Sequence, residues 1–120
     1  MALTKASVPA RLADTLVIDT DADTNTGADN VFSGSATVYY FQIENTTNSS
    51  DMYLKVDDAT GASLNPEYVF YAPGNKTISY IIHNGEAFSS GVSFVATTTL
   101  ANGSAMTNPD PAPTVKILGN

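Results

Sequence analysis

From Thr37 to Leu118 the sequence alternates apolar and polar residues with a period of two, and clusters of Asn, Asp, Ser, Gly and Pro interrupt it repeatedly. This period is typical of half-buried β-strands, whereas an amphipathic helix repeats its apolar residues with a period near 3.6. No part of the stretch shows the helical period, and 120 residues are enough for one domain. We therefore expect an all-β protein, a single β-sandwich of about seven to eight mostly antiparallel strands with Greek-key or jelly-roll connections.

The alternation also predicts which side chains lie in the core. The strand that begins at Thr37 has one face with two aromatic residues and an isoleucine, namely Tyr39, Phe41 and Ile43. Its other face carries Val38, Tyr40, Gln42 and Glu44. We expect the first face to be buried because it carries no charge.

The next strand should follow the turn cluster at residues 45–51. Its inward residues are expected to be Met52, Leu54 and Val56, and its outward residues Tyr53, Lys55 and Asp57. A short turn favours pairing between the strands that it joins. We therefore expect this strand to run antiparallel to the first and beside it.

Four further segments complete the predicted sandwich. A short strand covers Val69 to Ala72, and the next has the inward residues Ile78, Tyr80 and Ile82. Asn84-Gly85 is the strongest two-residue hairpin signal in the chain, and it should lead into a strand from Val92 to Thr99 whose inward residues are Val92, Phe94 and Ala96. Thr114 to Leu118 forms the last strand. The expected core is Phe41, Ile43, Leu54, Ile78, Tyr80 and Phe94.

Residues 1–15 are expected to form an extended arm, with the sandwich at residues 16–120 and a short first strand at 16–19. Pro9 blocks a regular helix or central strand. The arm offers candidate interface residues, namely Leu3, Val8, Arg11 and Leu12. The opening residues do not follow the pattern of a secretory signal, and no segment has the length of a membrane span, so we expect synthesis in a cytosol.

The composition argues against several classes of function. The net charge is −7 with only five cations, scattered singly, which disfavours nucleic acids and anionic membranes. The chain has no Cys and a single His. We therefore expect no cofactor, no metal ion and no enzymatic activity.

Three groups of residues are candidates for chemical sites. Asp19, Asp21 and Asp23 have the alternate spacing of a calcium loop, but Thr24 and Asn30 stand where such a loop needs Gly and Glu. His83 lies beside a turn, far in sequence from any nucleophile motif. The carboxylates that could serve an acid–base pair are Glu44, Glu67 and Glu86. In each group the expected role is that of solvated loop or turn residues.

Two tyrosines are better candidates for an interface. Tyr40 and Tyr53 are both predicted to point away from the core. An exposed tyrosine buries a large rigid ring on binding while its hydroxyl stays hydrogen-bonded, and this suits protein contacts and sugar stacking. The alternative is that the two rings pack side by side on one outer face.

The segment from Tyr39 to Leu118 resembles a family of small virion structural proteins of tailed bacteriophages, including those of cyanobacteria. The likeness lies in YYFQIENTTNSSDMYLKVDDATGA, in YVFYAPGNKTISYIIHNGEAFSSGVSFVATTTLANGSA and in the terminal TVKIL. It is a likeness of strands, turns and composition, and it includes no catalytic motif. The resemblance implies a β-sandwich without enzymatic activity.

From the resemblance we expect a decoration or cement protein on the outside of a phage head. Its partners would be the major capsid protein or other virion proteins, it would be a homo-oligomer, and it would be located in the virion. The alternative is a tail, fibre or baseplate module that binds host-surface glycan through exposed tyrosines.

Overall fold

A computed structural model describes residues 13–24, 28–62, 66–101 and 106–120. The described residues form seven strands: β1 (Thr15–Asp19), β2 (Ala36–Asn45), β3 (Met52–Asp58), β4 (Tyr68–Ala72), β5 (Lys76–Phe88), β6 (Val92–Thr97) and β7 (Thr114–Gly119). Sheet A has four strands in the order β1-β7-β2-β5, and sheet B has three in the order β4-β3-β6. All strand pairs are antiparallel. The predicted all-β sandwich is confirmed.

The strands pair as one long hairpin that is rolled up. β3 pairs with β4, β2 pairs with β5, and β1 pairs with β7, so each pair encloses the one before it. Between β1 and β2, residues 28–31 exchange backbone hydrogen bonds with β6, through Ala28 with Phe94 and Val31 with Val92. When this long hairpin folds over on itself, β2 also pairs with β7, and β3 also pairs with β6. This nested pattern is that of a jelly roll, with residues 28–31 in place of its eighth strand.

The core lies between the two sheets and is rich in aromatic rings. Phe41 of sheet A stacks on Phe70 of sheet B with ring centroids 4.6 Å apart, and Phe70 also contacts Tyr80 at 5.1 Å. The predicted core residues Phe41, Ile43, Leu54 and Phe94 are fully buried, while Ile78 and Tyr80 are half-buried and pack against them. At roughly 1.5–3 kcal/mol for each fully buried side chain, these contacts supply much of the stability of a small domain.

A β-bulge in β2 changes the predicted phase at one end of that strand. The register with both neighbours shifts between Val38 and Tyr40. Val38 is therefore fully buried, whereas we expected it to point outward, and Tyr39 is only half-buried. A bulge inserts an unpaired residue, so the side chains on its two sides no longer follow one alternation.

The predicted hairpin at Asn84-Gly85 is wrong. Both residues lie inside β5, which is continuous for 13 residues, and they have positive φ values of 68° and 79°. In the register Val38 faces Glu86 while Tyr40 faces Ile81, so four residues of β5 lie opposite Tyr39 alone. The positive φ values that favour Asn-Gly in a hairpin also suit a bulge, and the sequence signal is the same for both.

The predicted pairing of β2 with β3 is also wrong, because the two strands belong to different sheets. In addition, Lys55 and Asp57, which we expected to be exposed, are buried. The Lys55 ammonium donates hydrogen bonds to the carbonyl oxygens of Leu100 and Ala101, at 2.8 and 2.6 Å. The chain that follows β6 thus lies over the outer face of sheet B, and burial lowers the pKa of Lys55.

Candidate interaction surfaces

The outer face of sheet A carries a row of four large residues across all four strands. Residues directly opposite one another in a sheet lie on the same face. The register places Leu16 opposite Leu118, Leu118 opposite Tyr40, and Tyr40 opposite Ile81. We call Leu16, Leu118, Tyr40 and Ile81 the outer row. Leu16 is 51% exposed and Ile81 is 81% exposed, so the row is open to solvent at both ends.

The second row of this face is polar apart from one isoleucine. Ile18, Lys116, Gln42 and Ser79 form the second row, in which Ile18 is 53% exposed. Lys116 forms an ion pair with Glu44 at 2.8 Å. The Tyr40 hydroxyl is held by Gln42 Nε2 at 2.8 Å and by the Ser79 hydroxyl at 2.9 Å. Lys116 and Glu44 thus cancel each other's charge on a chain whose net charge is −7.

The outer face of sheet B offers a second aromatic surface. Tyr53 lies opposite Tyr71 in the register, and their ring centroids are 5.7 Å apart at an angle of 44°. Tyr71 is exposed, and a hydrogen bond to Asp51 raises the pKa of its hydroxyl. Val69 of the same strand is also exposed. The pair thus combines aromatic rings with an adjacent carboxylate that accepts hydrogen bonds.

The two predicted interface tyrosines do not lie side by side. Tyr40 is on the outer face of sheet A and Tyr53 is on the outer face of sheet B, so the sandwich separates them. Each instead contacts polar or aromatic residues of its own sheet. The candidate interface residues of the arm, Leu3, Val8, Arg11 and Leu12, lie outside the described residues.

A small cavity opens at the bulge of β5. It has a volume of about 240 Å³ and is lined by Tyr39, Ile81, Ile82, His83 and Asn84. The backbone is tight here, since a Cβ on Gly85 would lie 2.5 Å from a methyl carbon of Thr37 and 2.7 Å from the Tyr39 ring. The bulge therefore sets the shape of the cavity, and it places exposed His83 at the cavity wall.

Of the three glutamates that could serve an acid–base pair, two have separate structural partners. Glu44 pairs with Lys116, and Glu86 accepts a hydrogen bond of 2.8 Å from the Tyr68 hydroxyl, which raises the pKa of Tyr68 to about 12. Asp19 accepts the backbone N–H of Asp21 at 2.9 Å. Within the part of the chain that the structure describes, no group of three or more His, Asp or Glu side chains is placed to hold a metal ion. No helix in that part could cross a membrane.

One acidic residue that the sequence did not single out has a clear structural role. Asp58, at the end of β3, accepts hydrogen bonds from the backbone N–H groups of Ser89, Ser90 and Gly91 at 3.0, 2.8 and 3.3 Å. The Ser89 hydroxyl adds a fourth bond at 3.1 Å. These bonds, the one from Ser90 first, lower the pKa of Asp58. Its partners are 31 to 33 residues away, so no local motif identifies it.

No protein-family model, curated protein or solved structure matches the chain. The fold and the surfaces described above therefore carry the functional argument. Among these surfaces, the outer row crosses all four strands of sheet A and ends in two exposed apolar residues, Leu16 and Ile81.

Proposed function

We propose that this protein is a non-enzymatic structural component of a tailed-phage virion, a decoration protein that binds the outer surface of the head. The sequence likeness between residues 39 and 118 motivates the particle context. The observation that carries the proposal is the outer row, which crosses all four strands of sheet A and is exposed at both ends. The major capsid protein is the proposed partner.

Removing a face of this kind from water costs little desolvation free energy. Its one ion pair is already formed, and the Tyr40 hydroxyl already has partners within the face. Burying Ile81 alone is worth about 1.5–3 kcal/mol. A contact of this size binds one molecule weakly. A shell presents the same site many times, however, so many copies bind it and their effects on the shell add up.

Retention on capsids tests the proposal. The double variant Tyr40→Ser and Ile81→Ser is expected to bind shells that lack the protein about tenfold more weakly than the wild type, because it loses the apolar contact of Ile81. Co-sedimentation with purified shells measures this loss. The matched control is Val69→Ser with Tyr71→Ser, which changes a similar pair of exposed residues on sheet B and should leave retention unchanged.

The number of copies of the protein in each particle provides a second test of the same proposal. Quantitative mass spectrometry of purified particles is expected to show the protein in numbers comparable to the major capsid protein. A few copies per particle would contradict a role on the head. Equal retention of both double variants and the wild type would move the contact away from sheet A, and residues 1–12 would then be tested by truncation.

A tail or fibre module that binds glycan is the second candidate, and the tyrosine pair on sheet B favours it. Tyr53 and Tyr71 expose aromatic surface beside the Asp51 carboxylate. Aromatic rings stack on the apolar faces of sugars, and a carboxylate accepts hydrogen bonds from sugar hydroxyls.

Glycan binding would depend on sheet B rather than sheet A. If the second candidate holds, the chain should bind host-surface polysaccharide in calorimetry, and Tyr71→Ala should weaken binding about two- to tenfold, since stacking on an aromatic ring is worth about 0.5–1.5 kcal/mol. Tyr40→Ala is the control and should leave binding unchanged. Absence of saturable heat with host polysaccharide would exclude this candidate.

A further inference from the structure

The four sheet edges of this sandwich differ in how they are covered. Residues 28–31 pair with β6, and β5 is distorted by its four-residue bulge. At the β4 edge, the Tyr80 hydroxyl of sheet A donates a hydrogen bond to the Tyr71 carbonyl. Bulges and covering segments are means by which proteins prevent strands from adding to a sheet. The hydrogen bond from Tyr80 likewise occupies a carbonyl oxygen of the β4 edge strand.

The β1 edge has none of these features among the described residues. β1 is the terminal strand of sheet A, and its five residues, TLVID, contain no Pro, Lys or bulge. Leu16 and Ile18 are about half exposed, whereas Val17 packs against the core. A regular, β-branched edge strand of this kind is a template for another strand.

We propose that β1 pairs antiparallel with β1 of a second copy, so that two sheets A join into one continuous eight-stranded sheet about a twofold axis at Val17. This inference stands independently of the virion role proposed above. It names the surface through which the chain forms a homo-oligomer.

The register follows from the sequence of the strand. With Val17 on the axis, Leu16 lies opposite Ile18 of the second copy, and Thr15 lies opposite Asp19 of the second copy. In each facing pair the two residue numbers are both odd or both even. Side chains of the inner face therefore meet side chains of the inner face, and outer meet outer, so the two faces continue from one sheet into the other. The outer row of each copy then meets the second row of the other copy, where the exposed side chains of Leu16 and Ile18 pack against each other.

Charge disfavours two of the other registers. Each copy carries a net charge of −7, so association requires a contact in which carboxylates avoid one another. In the proposed register Asp14 faces Thr20 of the second copy and Asp19 faces Thr15. Moving the axis to Asp19 would place two carboxylates directly opposite each other, which is destabilising. Moving it to Leu16 would leave Ile18 opposite Asp14.

Paired charge variants test the surface and the register together. In the double variant Leu16→Lys with Ile18→Lys, lysine faces lysine twice across the axis. In Leu16→Lys with Ile18→Glu, lysine faces glutamate twice instead. Sedimentation equilibrium should show a concentration-dependent dimer for the wild type. The lysine–glutamate variant should dimerise at least about fourfold more tightly than the lysine–lysine variant, since each of the two cross-strand pairs contributes about 0.2–1 kcal/mol in either direction.

Mixing single variants gives an independent readout of the register. Leu16→Lys and Ile18→Glu, each alone, should prefer the heterodimer when mixed, because only the heterodimer brings the new charges together. Circular dichroism verifies that every variant keeps its strands. A wild type that stays monomeric at millimolar concentration, or equal association of the two double variants, would overturn the proposal.

Discussion

Replacing Phe41 with alanine is expected to lower the free energy of unfolding by about 3–5 kcal/mol. Phe41 is fully buried, and its ring stacks on Phe70 of the opposite sheet at 4.6 Å. The substitution removes a large apolar surface from the core and leaves a cavity between the sheets, which the surrounding strands cannot close without breaking their hydrogen bonds. Such a loss is a large part of the 5–15 kcal/mol that typically stabilises a small domain.

Denaturant unfolding followed by circular dichroism measures this change. Phe94→Ala should give a loss of similar size, because Phe94 lies in the same core on β6. The control is Leu100→Ala, which truncates a side chain that is 63% exposed and should change stability by less than about 0.5 kcal/mol. A loss for Phe41→Ala no larger than that of the control would mean that Phe41 does not lie between the sheets.

The second large effect is expected at Asp58. Asp58→Asn should lower the free energy of unfolding by about 1.5–3 kcal/mol, the value typical of hydrogen bonds to a charged group. The amide keeps one acceptor oxygen but presents N–H groups to the donors of Ser89, Ser90 and Gly91. Those donors belong to the turn between β5 and β6. Because β5 lies in sheet A and β6 in sheet B, loosening this turn affects both sheets. Asp21→Asn, at an exposed residue, is the control.

The effect of Asp58 should also depend on pH, with a sign that follows from its lowered pKa. Because the folded state favours the carboxylate, the contribution is fully present above the unfolded pKa of about 3.9 and is lost as the pH falls through the lower folded value. The stability difference between wild type and Asp58→Asn should therefore shrink below about pH 4. A difference that stayed constant from pH 7 to pH 2.5 would show that the carboxylate charge is not responsible.

The fold class was predictable because local patterns determine strands. Alternation identified the buried residues Phe41, Ile43, Leu54 and Phe94, and the β1, β4 and β7 segments were located to within a residue. Alternation depends only on the two-residue repeat of a strand and on the need to bury one face. These requirements are the same in any sandwich. Strands and their buried residues can therefore be predicted without knowing which strands lie beside them.

The candidate surfaces were only partly predictable. The outward direction of Tyr40 and Tyr53 followed from the alternation, and the structure places both on outer faces. Their separation onto different sheets did not follow, since β2 and β3 are joined by a turn that also occurs in hairpins. Here that turn crosses from one sheet to the other. The sequence of a turn does not determine whether the two strands that it joins pair with each other.

Tertiary structure alone decided the features that depend on distant partners. The bulge at Tyr39 turned Val38 inward because β5 and β7 both shift their register there. Lys55 is buried because residues 100 and 101 supply carbonyl oxygens to its ammonium, and Asp58 has its role because the turn at residues 89–91 returns to it. By itself the sequence determined the strands and the residues most of them bury, through a repeat that acts over neighbouring positions. Sheet order, the bulge and the buried polar contacts join residues far apart in the chain, so only the folded arrangement could determine them.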